Sequence, residues 1–250
     1  MTSNENRDPA GTLVVFGGAS GIGLATATLG IAQYQHVVIV DVDRNAADLD
    51  IVRSERAALR HCDAVDPAGV QAVLADVLAR CGSLTSVVTT VGGAHVGDAL
   101  DLDLVAWRKE IAFNLDSAYV VSVSAARLMV ENGGGSIVTS SSSYGFLPGE
   151  DRMGYCAGKA GVIALTKSLA RATGRRGVRV NCVAPGSTDT PRMRGMAGSE
   201  EAMQARYAAS PQGRITTTED QAEAILFLSS PAARSMTGQV LWVNNGMLMP

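Results

Sequence analysis

Tyr155 and Lys159 stand four residues apart in Tyr-Cys-Ala-Gly-Lys, so on a helix the phenol lies one turn from the ammonium on the same face. A free tyrosine titrates near 10, and lowering it to about 7 requires about 4 kcal/mol of differential stabilisation, more than one partly desolvated cation supplies alone. A positively charged cofactor beside the pair would supply the rest. Upstream, the β-branched pair Ile137-Val138 runs into the serines Ser140 to Ser143. A hydroxyl held there could hydrogen-bond the oxygen of an alcohol or ketone while the phenol exchanges its proton. Tyr-x-x-x-Lys also arises as an ordinary amphipathic pair, so the reading needs a second element.

That element opens the chain. Leu13-Val14-Val15-Phe16 is a strand-type apolar run leading into Gly17-Gly18-Ala19-Ser20-Gly21-Ile22-Gly23 and a helix expected to reach Tyr34. Strand, glycine turn and helix bring backbone amides and a helix N-terminus to an anion such as a pyrophosphate, although such a turn also occurs without ligand. Val37 to Val40 form a second buried strand ending in Asp41, 18 residues past Gly23. A carboxylate there accepts hydrogen bonds from both ribose hydroxyls and repels a 2′-phosphate, which favours NAD (NADH) over NADP. Arg44 lies close enough to complicate that preference, and a helix N-cap is the plainer role for Asp41.

The remaining chain alternates strands and helices. A helix is expected over about 46–54, a third strand ends at Asp63, and Asp66-Pro67 caps a helix whose Val70, Val73, Leu74, Val77, Leu78 and Cys81 form one core stripe. Ser86 to Gly93 is a fourth strand ending in glycines, Leu102 to Phe113 and Leu115 to Val130 are helices flanking Asn114, and the Tyr155 helix runs to Thr173. Val178 to Ala184 is a strand closed by Pro185-Gly186-Ser187-Thr188-Asp189-Thr190, Glu219 to Ser229 a helix and Gln239 to Val243 a last strand. The rhythm predicts an α/β fold: one Rossmann-type domain over 11–250 with a doubly wound parallel sheet of about seven strands, ligands at the strands' C-terminal ends, and a flexible tail over 1–10. Residues 190–212, rich in Met, Arg, Gly and Ser, read as a substrate lid or as a surface helical hairpin.

Composition narrows the partners. The 250 residues carry 21 basic and 24 acidic side chains, a net charge of −3, which offers no basic field for nucleic acid or an anionic membrane. No run approaches the roughly 20 apolar residues of a membrane span, and the N-terminus lacks the apolar segment of a signal peptide, so a cytoplasmic location is expected. Cys62, Cys81, Cys156 and Cys182 show neither metal-ligand nor disulfide spacing and read as reduced core thiols, with no metal site expected. Charged residues are 18%, below the roughly 25% of typical soluble domains, so partner subunits are expected to cover part of the surface.

With both elements placed, the chain resembles the short-chain dehydrogenase/reductase family from about Gly11 to Gly246. Gly17, Gly21 and Gly23 match its glycine loop, and Asn114, Ser142, Tyr155 and Lys159 match its catalytic tetrad. Ser142 is chosen because it lies 13 residues before the tyrosine, and Ser141 and Ser143 stand if the strand ends differently. The resemblance implies that Tyr155 is the acid/base, that Lys159 lowers its pKa and holds the nicotinamide ribose, that Ser142 fixes the substrate oxygen, and that Asn114 holds a water-linked proton path. It further implies cofactor contacts at Ser20, Ile22, Asp63, Ala64, Val91, Gly92, Pro185, Gly186, Thr188 and Thr190. Two motifs depart from it: Phe16 replaces the usual threonine, and Thr89-Thr90-Val91-Gly92 replaces Asn-Asn-Ala-Gly. An intact fold with a locally reshaped cofactor cleft is expected, Thr89 and Thr90 restoring some of the lost hydrogen bonds.

The expected activity is NAD(H)-dependent interconversion of a secondary alcohol and a ketone. A mostly apolar pocket of Ala94, His95, Ser143, Tyr144, Phe146, Leu147, Met153, Ser187, Met193 and Met196, with Ser142 and Tyr155, suits an alicyclic or aromatic substrate. His95, alternatively a solvated loop residue, and Arg152 are the candidate polar anchors. The family's intersubunit helices match those from Leu115 and Tyr155, which implies a homotetramer, with a dimer next. A 3-oxoacyl-thioester reductase is the second reading, disfavoured by Asp41, and a nucleotide sensor without catalysis the third.

Overall fold

A computed structural model describes residues 11–43, 46, 49–208 and 210–250. The expected tail over 1–10 and Arg44 lie outside them. Seven strands form one parallel sheet: β1 (Thr12–Phe16), β2 (His36–Asp41), β3 (Ala57–His61), β4 (Ser86–Thr89), β5 (Gly135–Ser140), β6 (Val178–Pro185) and β7 (Val240–Val243), in the spatial order β3-β2-β1-β4-β5-β6-β7. The chain winds outward from β1 to β3, then returns to place β4 on β1's other side. The strand order therefore reverses between Phe16 and Thr89, which are in register. A crevice opens at such a reversal because successive connections leave in opposite directions.

Alternation along the strands builds two cores. Val14, Phe16, Val38 and Val40 face one side with Val70, Leu74 and Val77 of α2 (Pro67–Cys81), and with Val121, Ala125 and Met129 beyond them. Leu13, Val15, Val37 and Ile39 face the other with Ala27 of α1 (Gly21–Gly30) and, from nearer the chain's end, Ile225 and Leu228. Asp66 caps α2 through its side chain, and Pro67 occupies the first turn, as the sequence suggests.

Several boundaries differ from the sequence expectation. Helix α1 stops at Gly30 and turns carry the chain onward, because Tyr34 is drawn under the sheet to hydrogen-bond Ser86 at 2.9 Å. Where a helix was expected over 46–54, the described residues are Ala46, in 3-10 conformation, and a 3-10 turn, Asp50–Arg53, bounded by extended backbone at Leu49 and Ser54; Ala47 and Asp48 lie outside the described residues. The helix expected from Leu102 is α3 (Leu104–Ile111), started by the Asp103 cap, and it passes through a π turn, Ala112–Asp116, into α4 (Ser117–Glu131). Helix α5 spans Met153–Thr173. Residues 190–212 fold as two short helices, α6 (Pro191–Ala197) and α7 (Glu200–Ala208), before α8 (Thr218–Ser229). All four cysteines are free, three of them buried. Among the described residues no helix is long and apolar enough to cross a membrane, and no cluster of His, Cys, Asp and Glu could hold a metal.

Candidate active site

One cavity of about 1060 Å³ runs along the C-terminal ends of the strands, from Asp41 and Asp63 past the glycine loop to Tyr155 and the lid helices. That volume exceeds what a small substrate alone occupies. All sixteen residues expected at the cofactor line it, from Gly17 to Thr190, and so do Ala94, Ser142, Ser143, Tyr144, Leu147, Ser187, Met193 and Met196.

Local packing fixes the loop. A Cβ on Gly23 would run into the carbonyl oxygen of Gly17, so the turn closes only with glycine there. Thr90 Oγ1 donates to the carbonyl oxygens of Phe16 (3.1 Å) and Gly17 (3.2 Å), tying the loop to the neighbouring strand. Phe16 itself is buried in the sheet core. Thr89 restores nothing, its buried hydroxyl having no partner. Asp41 accepts from the amides of Ala19 at 3.0 Å and Asp43 at 3.1 Å, so the carboxylate braces the loop and is not a helix cap. Ser20 begins α1 without a side-chain cap and no acid sits in the first turn, which leaves those amides facing the cavity for an anion.

The serine cluster divides by role. Ser141 donates to the Lys159 carbonyl at 2.7 Å and belongs to the packing of α5. Ser143 has a buried hydroxyl without a partner. Ser142 accepts from the Tyr144 amide at 3.2 Å, and its own hydroxyl favours the ionised form of Tyr155. Lys159 is buried, with Nζ donating to the carbonyls of Ser140 (2.9 Å) and Val91 (3.4 Å) and standing 5.8 Å from the centre of the Tyr155 ring.

The sequence expectation that Lys159 lowers the Tyr155 pKa needs correction in this structure. Burial is the leading influence on both groups: it pushes the phenol above its ordinary value and pulls the lysine down to about 8. What favours the phenolate is first Ser142, then the charges of Arg152 and Arg192. The physical reason is that the ammonium is aimed at two backbone carbonyls and is itself short of solvent.

Other expectations shift as well. Asn114 is fully buried in the π turn and does not line the cavity. Its amide accepts from the Gly93 N–H at 2.9 Å and donates to the Gly93 carbonyl at 3.0 Å, with a further bond to the Glu110 carbonyl, so it holds the loop that walls the cleft. His95 is exposed on the loop and, like Met153 and Phe146, does not line the cavity; Phe146 stacks edge-on against Trp242 instead. Arg152 does line it, but is held by Asp151 through two hydrogen bonds of 2.7 and 2.8 Å and lies over the Tyr144 ring. Sequence reading missed Lys109, Phe113, Arg192 as a lining residue, Arg206, Met247 and Leu248. Arg192 had a signal, since Pro191 directly after Thr190 starts a helix and puts the next residue in its first turn. The C-terminal pair had none.

A family profile described as "Enoyl-(Acyl carrier protein) reductase" matches residues 17–248. The chain belongs to the short-chain dehydrogenase/reductase family. It is 39% identical over 237 residues to cis-4-hydroxycyclohexanecarboxylate dehydrogenase of Sinomonas cyclohexanicum, covering 93% of this chain and 94% of that protein. It is 33% identical over 250 residues to 2-(S)-hydroxypropyl-CoM dehydrogenase 3 of Xanthobacter autotrophicus, covering 97% and 98%. The structure of a short-chain type dehydrogenase/reductase from Mycobacterium ulcerans superposes with a TM-score of 0.90 at 30% identity, covering 96% of this chain and 90% of that one. This member of the short-chain dehydrogenases/reductases is an oxidoreductase acting on CH–OH groups with a nicotinamide cofactor. The residues present fit that cofactor: a glycine turn with uncapped amides, a carboxylate at the end of β2, and Tyr155 with Lys159 further along one continuous cavity.

Proposed function

We propose that the protein is an NAD(H)-dependent oxidoreductase interconverting a secondary alcohol and a ketone on a mainly apolar alicyclic or aromatic substrate. The observation that carries this reading is the convergence of Ser142, Tyr155 and Lys159 in the one cavity that also contains the glycine loop and Asp41. Asp41 supports NAD: its carboxylate is held at the loop, with lone pairs left for ribose hydroxyls and negative charge against a 2′-phosphate. The same feature disfavours the thioester-reductase alternative. An alicyclic substrate is supported by the apolar lining of Ala94, Leu147, Met193, Met196, Met247 and Leu248, and by the name of the 39% identical relative.

In the oxidation direction Tyr155 takes the hydroxyl proton while Ser142, held by the Tyr144 amide, hydrogen-bonds the same oxygen. The residues from Gly17 to Gly23, with Asp41, would hold NAD, which would supply a hydride acceptor and positive charge beside Tyr155. Lys159 orients the site by tying α5 to the ends of β4 and β5. Asn114 acts as a positioning residue for the Gly92–Gly93 wall, and 190–212 acts as the lid. The apolar residues Leu104, Val105 and Tyr119 are exposed on α3 and α4, which supports assembly of subunits, read here as a homotetramer; the cytoplasmic location rests on the sequence reading alone. Light scattering from a monomer would contradict that assembly.

Replacing Tyr155 with Phe keeps the ring and removes the proton carrier. Turnover should fall at least about 100-fold with NADH affinity little changed. Retained turnover in Tyr155→Phe overturns the mechanism.

A further inference from the structure

Arginines near the lid fall into two groups. Arg194 is paired with Asp189, Arg214 with Asp220 and Arg152 with Asp151. Arg192 and Arg206 line the cavity and make no ion pair among the described residues. Arg192 donates one hydrogen bond of 3.0 Å to the Gly92 carbonyl, and its guanidinium carbon stands 5.9 Å from the centre of the Phe113 ring. Its Nη1 sits against Gly93, where any Cβ would collide with it. Half-buried Arg206 donates to the Ala202 carbonyl, one turn earlier on α7, at 3.0 Å. A guanidinium has five donors, so each retains most of its hydrogen-bonding capacity. Lys109, across the mouth on α3, also has no ion pair among the described residues.

Beyond Gly92, the charged lining is Lys109, Arg152, Lys159, Arg192 and Arg206 against Asp151 alone. A cluster this cationic, in a chain with a net charge of −3, is a local feature of the substrate end. A neutral alcohol would leave the remaining donors of exposed Arg192 and half-buried Arg206 to water. A carboxylate matches a guanidinium fork with two parallel hydrogen bonds.

We infer that the substrate carries a carboxylate remote from its reacting carbinol, held by Arg192 of α6 with Arg206 of α7 as the second donor. This rests on the alcohol/ketone reading of the cavity and adds the group that orients the ring there. Closing the lid over the acid exchanges the Gly92 contact for the substrate's carboxylate, so the lid reads the substrate's charge.

Calorimetric titration of the NADH-saturated enzyme with cyclohexanecarboxylate and with cyclohexanemethanol tests this without turnover, since neither ligand has a ring hydroxyl to oxidise. The acid should bind at least about tenfold tighter than the neutral ligand. Arg192→Met should weaken the acid about ten- to hundredfold, with Arg192→Lys intermediate and Arg206→Met a smaller loss. Equal affinity for the two ligands, binding of neither, or a loss in Arg192→Met that falls equally on NADH overturns the proposal. A separate assay for oxidation of 4-hydroxycyclohexanecarboxylate and of cyclohexanol reads the activity itself. Absence of both oxidations, with the acid still bound through Arg192, would overturn the alcohol/ketone reading alone.

Discussion

The two ends of the cleft are built from different materials. At the Asp41 end the wall is backbone: a glycine turn, uncapped helix amides and strand termini, with only the carboxylates of Asp41 and Asp63 adding charge. At the lid end the wall is side chains on two short helices and a C-terminal segment, methionines and leucine around cations that, Arg152 apart, make no ion pair among the described residues. A backbone wall suits a ligand of fixed shape, because it cannot change without changing the fold. Side chains on short helices can vary at little cost to the sheet. The comparison teaches that cofactor recognition and substrate recognition are separable in this molecule, with Tyr155 and Lys159 at the seam.

The largest effect on cofactor choice belongs to the acidic end. Asp41→Asn removes the charge opposed to a 2′-phosphate, at the cost of one of the two acceptor oxygens that hold the Ala19 and Asp43 amides, so the kcat/KM preference for NAD over NADP should drop about tenfold or more. An unchanged preference would show that backbone shape alone selects the cofactor there. At the seam, Lys159 is destabilised by burial, its pKa falling from 10.5 to about 8. A lysine whose folded value is depressed weakens the fold wherever it must stay charged, and that penalty is relieved as pH rises from about 8 to 10.5. Relative to Lys159→Met, the native protein should therefore gain about 3 kcal/mol of stability as pH rises from about 8 toward 10.5. A native protein that loses stability relative to the variant over that range in denaturant melts would contradict the cause assigned to the shift.

The smallest effects distinguish the two threonines that replace the usual asparagines. Thr90→Val loses both bonds to the loop carbonyls and should cost about 1 to 2 kcal/mol, with weaker NADH binding. Thr89→Val removes a buried hydroxyl that has no partner, and should be neutral or stabilising by about 1 kcal/mol. Equal losses in the two variants by urea unfolding would mean that the loop is not tied through Thr90.

Much of this was legible in the sequence because the signals were local or periodic. Val37 to Val40 and Ile137-Val138 read as buried strands, the α2 stripe as core, and the glycines as a turn between strand and helix. What escaped depended on tertiary context. Helix α1 ends early because Tyr34 has a partner 52 residues away, and no local pattern records that. His95, on a loop, and Met153, the first residue of α5, fall on the correct segments, but both are exposed outside the cavity, since position along the chain does not fix which way a side chain points. Met247 and Leu248 reach the pocket only because the chain folds back after β7, where the Leu248 carbonyl accepts from Asn244 at 2.9 Å. The expected link between lysine charge and phenol acidity followed from helical spacing, which places two side chains on one face without fixing where their ends point.

The most direct test is ultraviolet titration of the Tyr155 phenol, taken as the difference between the native protein and Tyr155→Phe, with and without NAD. Without NAD the phenol should ionise above its ordinary value, as its burial dictates; with NAD bound, the cofactor's positive charge should move its ionisation to lower pH. A Tyr155 signal that NAD leaves unmoved would contradict the assignment of this residue as the proton carrier facing a bound dinucleotide.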